Sequence, residues 1–80
     1  MTIGVAVKQR IFELCRERKL SINRLGTISG VPQSTLNNFV SGRNHSMTVS
    51  TLQKLCDGLE ITIREFFASP CFDSIEQEIQ

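Results

Sequence analysis

Eighty residues with a formal net charge of +1 make one small domain, near the size at which folding buries only about 60% of the unfolded surface. At 40% hydrophobic and 21% charged residues, the chain is too apolar to stay disordered. No apolar run approaches the roughly 20 residues of a membrane span, and "MTIGVAVKQR" lacks a signal peptide's basic start and long apolar stretch, so a cytoplasmic protein is expected.

The predicted elements are all helical. In "VKQRIFELCRER", Val7, Ile11, Leu14 and Cys15 share one face, with Lys8, Arg10, Glu13, Arg16 and Glu17 opposite. Phe12 breaks the pattern and is expected to be half-exposed. Ser21 is the expected N-cap of a second helix carrying Ile22, Leu25 and Ile28. Gly30 stops that helix in the left-handed conformation. Pro32 is expected at the first position of a third helix, where its missing N–H costs nothing. Leu36, Phe39 and Val40 form the buried stripe of that helix, and Ser41-Gly42 ends it. A loop "RNHSM" leads to a fourth helix with Leu52, Leu55, Cys56 and Leu59 at helical spacing. Thr62 and Glu65 form a T-x-x-E capping box opening a short fifth helix through Phe66-Phe67. The fold class is therefore all-α: a compact five-helix domain over residues 1–69 with a short C-terminal extension, 70–80.

The cysteines carry little chemistry. Cys15, Cys56 and Cys71 are odd in number and lack a C-x-x-C pair. The first two lie on apolar faces as small hydrophobes, while Cys71 beside Pro70 is expected to be exposed. His45 has no Cys or acid at ligand spacing, so no metal site is expected. Asn44-His45-Ser46 matches a glycosylation sequon, which means nothing without a secretory signal. One His, no carboxylate cluster beside it and no phosphate-cradling Gly loop leave nothing for acid–base or nucleophilic catalysis. No enzyme, no cofactor and no small-molecule ligand are expected.

Two short helices joined by a tight turn at Gly30 predict a helix-turn-helix, whose second helix projects into a DNA major groove. The geometry needs a small residue where the helices approach, which Gly26 supplies, and an apolar plug in the turn, which Val31 supplies. Gln33, Ser34, Asn37 and Asn38 lie opposite Leu36 and Phe39. Amides pair with adenine edges and hydroxyls with several bases. The competing reading is a polar surface helix that binds nothing, but Asn and Ser are poor helix formers and stability alone favours Lys, Glu or Ala.

Charge is segregated in the same place. Residues 18–56 carry Arg18, Lys19, Arg24, Arg43 and Lys54 and no acid, whereas residues 57–80 sum to −5. That dipole turns the motif toward phosphates.

"LSINRLGTISGVPQSTLNNFVSGRN" followed by "TVSTLQKLCDGLEITIREFF" resembles the Cro/lambda-repressor type helix-turn-helix family, over about residues 5–68. The resemblance implies a five-helix DNA-binding domain acting as a transcriptional regulator, a repressor, on a double-stranded operator. It places base contacts on Gln33, Ser34 and Asn38. It places sugar-phosphate contacts on Ser21, Thr35, Asn37 and the loop Arg43, Asn44, His45 and Ser46. Several positions depart from the family pattern. Ile22 stands where a polar residue often meets phosphate, Gly26 replaces an Ala, and Pro32 replaces a Ser or Thr N-cap. Glu60 stands where a Gly follows the fourth helix, so a different cap is expected there. Cys15 and Val40 replace an Arg–Glu pair and predict an apolar contact.

In the tail "CFDSIEQEIQ", Asp73 is expected to cap a last helical turn carrying Ile75 and Ile79, with Phe72 before it. That stripe either folds back over the core, which a small domain favours, or pairs with a second chain. A homodimer would read two half-sites about one helical turn apart. The alternative function is protein contact, as an antitoxin-like or regulatory adaptor.

Overall fold

The computed structural model describes residues 1–79. Five α-helices follow in order: α1 Ile3–Arg18, α2 Ile22–Ser29, α3 Gln33–Val40, α4 Val49–Leu59 and α5 Ile63–Phe67, then a 3-10 turn Pro70–Phe72. No strand occurs among the described residues. The boundaries follow from the chain's own stop and start chemistry. Thr2, Ser21, Thr48 and Thr62 each accept a backbone N–H from three residues on, capping α1, α2, α4 and α5.

Three helices end alike. Lys19, Gly30 and Glu60 adopt left-handed backbone, with φ of 57°, 68° and 58°. After each comes an apolar residue whose N–H reaches back to the helix: Leu20 to Cys15, Val31 to Gly26 and Ile61 to Cys56, at 2.8, 3.1 and 3.0 Å. The expectation of a different cap at Glu60 is therefore corrected. Glu60 takes the glycine conformation, at a cost of about 1–2 kcal/mol, because burial of Leu59 beside it and the Ile61 bond hold the turn. Pro32 is also corrected. Its ψ of 138° puts it just outside α3, as an N-cap residue with no side-chain cap bond.

One apolar core joins all five helices, including Ile11, Leu25, Leu36, Phe39, Leu55 and Phe66. Cys15 and Cys56 are inside it, and burial raises both thiol pKa values, with Asp57 adding to the effect at Cys56. They remain protonated hydrophobes. Val40 packs on the same cluster as Cys15. Phe12 is 43% exposed, as its broken periodicity requires. Gly58 of α4 lies so near Ser29 of α2 that a Cβ at position 58 would overlap the serine side chain, and these two helices share the most extensive contact among the described elements.

The tail departs from expectation. Asp73 closes the 3-10 turn, its N–H bonding to Pro70 O at 3.0 Å, and does not start a helix. Phe72 folds back against Phe67 and Phe66, at ring-centroid distances of 4.7 and 6.1 Å. Ile75 is half-buried and Ile79 is open to solvent. Cys71 is half-buried, against its expected exposure, because its thiol turns inward to Ala6 O at 3.7 Å.

The Thr62–Glu65 box is complete: Glu65 N donates to Thr62 Oγ1 at 3.0 Å, and Thr62 N to the Glu65 carboxylate at 2.9 Å. The bond from the Thr62 backbone, then that from its side chain, holds the Glu65 pKa below the usual carboxylate range. A depressed folded pKa gives stability that is complete above the unfolded value and lost as pH falls through the folded one. Glu65→Gln keeps the box and removes the titration. Thermal melts at about pH 7 and about pH 3 should therefore show a smaller acid loss for Glu65→Gln than for the parent.

Candidate nucleic-acid interface

The face of α3 opposite Leu36 and Phe39 is open to solvent. Ser34, Thr35, Asn37 and Asn38 are exposed, while Leu36 and Phe39 are buried beneath them. Helical spacing makes this division, since positions 36, 39 and 40 fall on one side and 34, 35, 37 and 38 on the other. The Asn38 backbone carbonyl accepts from Asn44 N at 3.0 Å and from Ser41 Oγ at 3.3 Å. These bonds fix the end of α3 and leave the Asn38 amide uncommitted.

Gln33 is different. It is half-buried, and its Nε2 donates to Asn23 O in α2 at 2.7 Å. Its Oε1 is shut off from solvent without a partner. Of the three amides and hydroxyls expected to meet bases, Ser34 and Asn38 are free in the chain's own fold and Gln33 is engaged.

The loop after α3 carries Arg43, Asn44, His45 and Ser46, all exposed. Gly42, at φ 87°, turns the chain out of the helix. Asn44 Oδ1 accepts from Ser46 N at 3.1 Å and from Ser46 Oγ at 3.4 Å, which organises the loop locally. Behind the loop, α1 passes so close that a side chain at Gly4 would meet the His45 carbonyl. Ser21 also is exposed, its Oγ accepting the Arg24 N–H at 3.0 Å as the α2 cap. Ile22, at the position where the family favours a polar residue, packs on the core instead.

Reading by sequence passed over two hydroxyls. Thr48 and Thr51, bonded to each other at 2.8 Å, line a recess of about 130 Å³ with Thr35, Asn44 and Ser46. The recess brings α3, the loop and the start of α4 to one spot. The signal was the hydroxyl-rich run "TVST", which reads on its own as an ordinary helix start.

The same acid-free stretch of chain carries exposed cations. Arg18 is committed to the Leu59 carbonyl at the end of α4, but Lys19, Arg24, Arg43 and Lys54 are exposed. The ion pairs among the described residues are Met1–Glu76 and Arg10–Glu13, which leaves those four cations to solvent. No three His, Cys, Asp or Glu side chains converge among the described residues, and no helix is long and apolar enough to cross a membrane.

The solvent-facing side of α3 can offer hydrogen-bonding groups to a polyanion, and exposed cations lie in the same acid-free stretch of sequence. Comparison with known proteins agrees. A model of the Cro/C1-type HTH DNA-binding domain matches residues 10–70. No curated protein matches the sequence. Among solved structures the chain is similar to prophage Lp1 protein 11, at 35% identity and a TM-score of 0.80, over 94% of this chain and 99% of that one. The family match spans both helices of the turn and the core that carries them. The chain belongs to the Cro/C1-type helix-turn-helix DNA-binding domains.

Proposed function

We propose that the protein is a sequence-specific transcriptional repressor that binds a double-stranded operator by laying α3 in the major groove. One observation carries this reading: a solvent-facing row of amides and hydroxyls stands on a helix whose other side is locked into the core, inside a stretch without an acid. Ser34 and Asn38 read base edges, for an amide pairs bidentately with adenine. Thr35, Asn37, Ser21 and the Arg43–Ser46 loop hold the sugar-phosphate backbone and set register.

Selection of bound duplexes from a random pool supplies the operator. Asn38→Ala is then expected to cost about 1–3 kcal/mol at one base-pair position, while Arg43→Ala weakens all duplexes alike and lowers the salt dependence. Equal losses on operator and scrambled DNA for Asn38→Ala would remove the base-reading claim.

Pairing of two copies is supported by a different observation. Val49 is 77% exposed, and with Ile3, Met47 and Phe67 it edges an apolar recess of about 280 Å³. Self-association there makes the repressor a homodimer reading two half-sites, and paired half-sites in the selected duplexes support it. Single half-sites count against it.

A further inference from the structure

We propose that Gln33 is the latch that sets the angle of α3 on α2, and that Gly26 is the vacant place through which its side chain passes. The proposal rests on the DNA-binding reading and assigns Gln33 a positioning role within it.

Three observations meet at this residue. First, α3 begins without a side-chain cap, since Pro32 has none to give, whereas α1, α2, α4 and α5 each begin on a threonine or serine cap. The start of α3 therefore needs another fastening. Second, the Gln33 amide crosses the turn and donates to Asn23 O at 2.7 Å, ten residues back in the first turn of α2. Thr27 Oγ1 donates to the same carbonyl at 3.1 Å. Third, the path runs over Gly26. A Cβ at that position would lie 2.6 Å from Gln33 Nε2 and 3.1 Å from its Cδ. Any residue but glycine displaces the amide from Asn23.

The orientation of the amide is not interchangeable. Turning it over would set Oε1 against the Asn23 carbonyl, acceptor against acceptor, so the donor must face α2. Oε1 is then left buried without a donor. A side chain free to swing outward would not leave an acceptor stranded, because water satisfies it at no cost. Packing against the turn holds it in place. A group held this way cannot also present both its donor and its acceptor to a base, as bidentate adenine recognition requires.

The test uses the full chain, the selected operator, and the variants Gln33→Ala, Gln33→Glu, Gly26→Ala and the double Gly26→Ala/Gln33→Ala. Binding is measured well below the melting temperature, where every variant is folded and a role in stability alone leaves affinity unchanged. Gln33→Ala and Gly26→Ala are each expected to weaken operator binding about tenfold, and the double variant no more than either alone. Gln33→Glu, whose carboxylate has no donor for Asn23, is expected to lose as much, equally at all base positions. A base-reading Gln33 would instead shift its preferred base toward cytosine on becoming Glu, and that shift overturns the latch while leaving Asn38 readout intact.

A melting cycle decides the proposal even if no duplex is bound. In the Gln33→Ala background the new Cβ still meets Val31 O at 3.2 Å, but Gly26→Ala no longer breaks the latch, so its effect on the melting temperature is expected to be about 4–8 °C more favourable there than in the parent. The same change in both backgrounds means that the two residues do not communicate, and the proposal falls.

Discussion

Phe66→Ala is expected to lower the free energy of unfolding by about 3–5 kcal/mol. Phe66 is fully buried and stands on α5, a helix of five residues. So short a helix has no stability of its own and exists only through its packing. The ring meets Phe67 edge-on at a centroid distance of 5.1 Å and Phe72 at 6.1 Å, so it also anchors the tail. Its removal opens a cavity in the shared core beneath α5. For a domain whose whole stability is of order 5–15 kcal/mol, this is a large fraction. Urea unfolding followed by circular dichroism measures it, with Phe66→Leu as the variant that keeps most of the volume. A loss below about 1 kcal/mol would mean that the three rings are not a packing unit.

Arg10→Ala should cost about 2–3 kcal/mol, the second-largest effect. The Arg10 side chain is only 11% exposed. Its Nε donates to Phe66 O at 2.6 Å and an outer nitrogen to Glu65 O at 2.9 Å, so one guanidinium holds the carbonyls at the end of α5. The other outer nitrogen pairs with Glu13, which also accepts from Ser69 Oγ at 3.2 Å. Glu13 is about a third exposed, so solvent screens that ion pair, and the expected loss comes mainly from Phe66 O, since Glu65 O keeps the Ala68 N–H at 3.3 Å. Two controls separate these contributions. Raising salt should reproduce little of the loss, because screening does not break a bond to a carbonyl. Arg10→Lys should recover only part of it, since an ammonium lacks the fork that serves both carbonyls.

These two residues show what was legible in the sequence and what was not. Local signals carried far: the Ser21 cap, the Gly30 stop, the Val31 plug and the Thr62–Glu65 box each need only neighbours within five residues. Apolar spacing likewise marked the buried side of α3, because a helix of known period leaves little choice. Arg10, by contrast, reads as one more cation on a polar face, and its partners lie 55 and 56 residues away. The Gln33 amide, expected outward, lies half-buried and bonded to Asn23 O, for position 33 stands three before Leu36 and seven before Val40, on the buried side of α3. Glu60 in the left-handed region is another tertiary override, where the pull of Leu59 and Ile61 into the core outweighs a residue preference. In the tail, Asp73 and Ile75 suggested a helix, but Pro70 and Phe72 had already spent the chain on a tighter turn.

The two-sided character of α3 has a consequence for how this molecule can change. Leu36 and Phe39 answer to the interior, whereas Ser34, Asn37 and Asn38 touch nothing that the fold requires. Substitutions at such positions usually shift stability by less than about 0.5 kcal/mol. On the proposed reading, a lineage carrying this domain can therefore drift toward a new operator through the codons of Ser34 and Asn38 without first acquiring compensating mutations elsewhere.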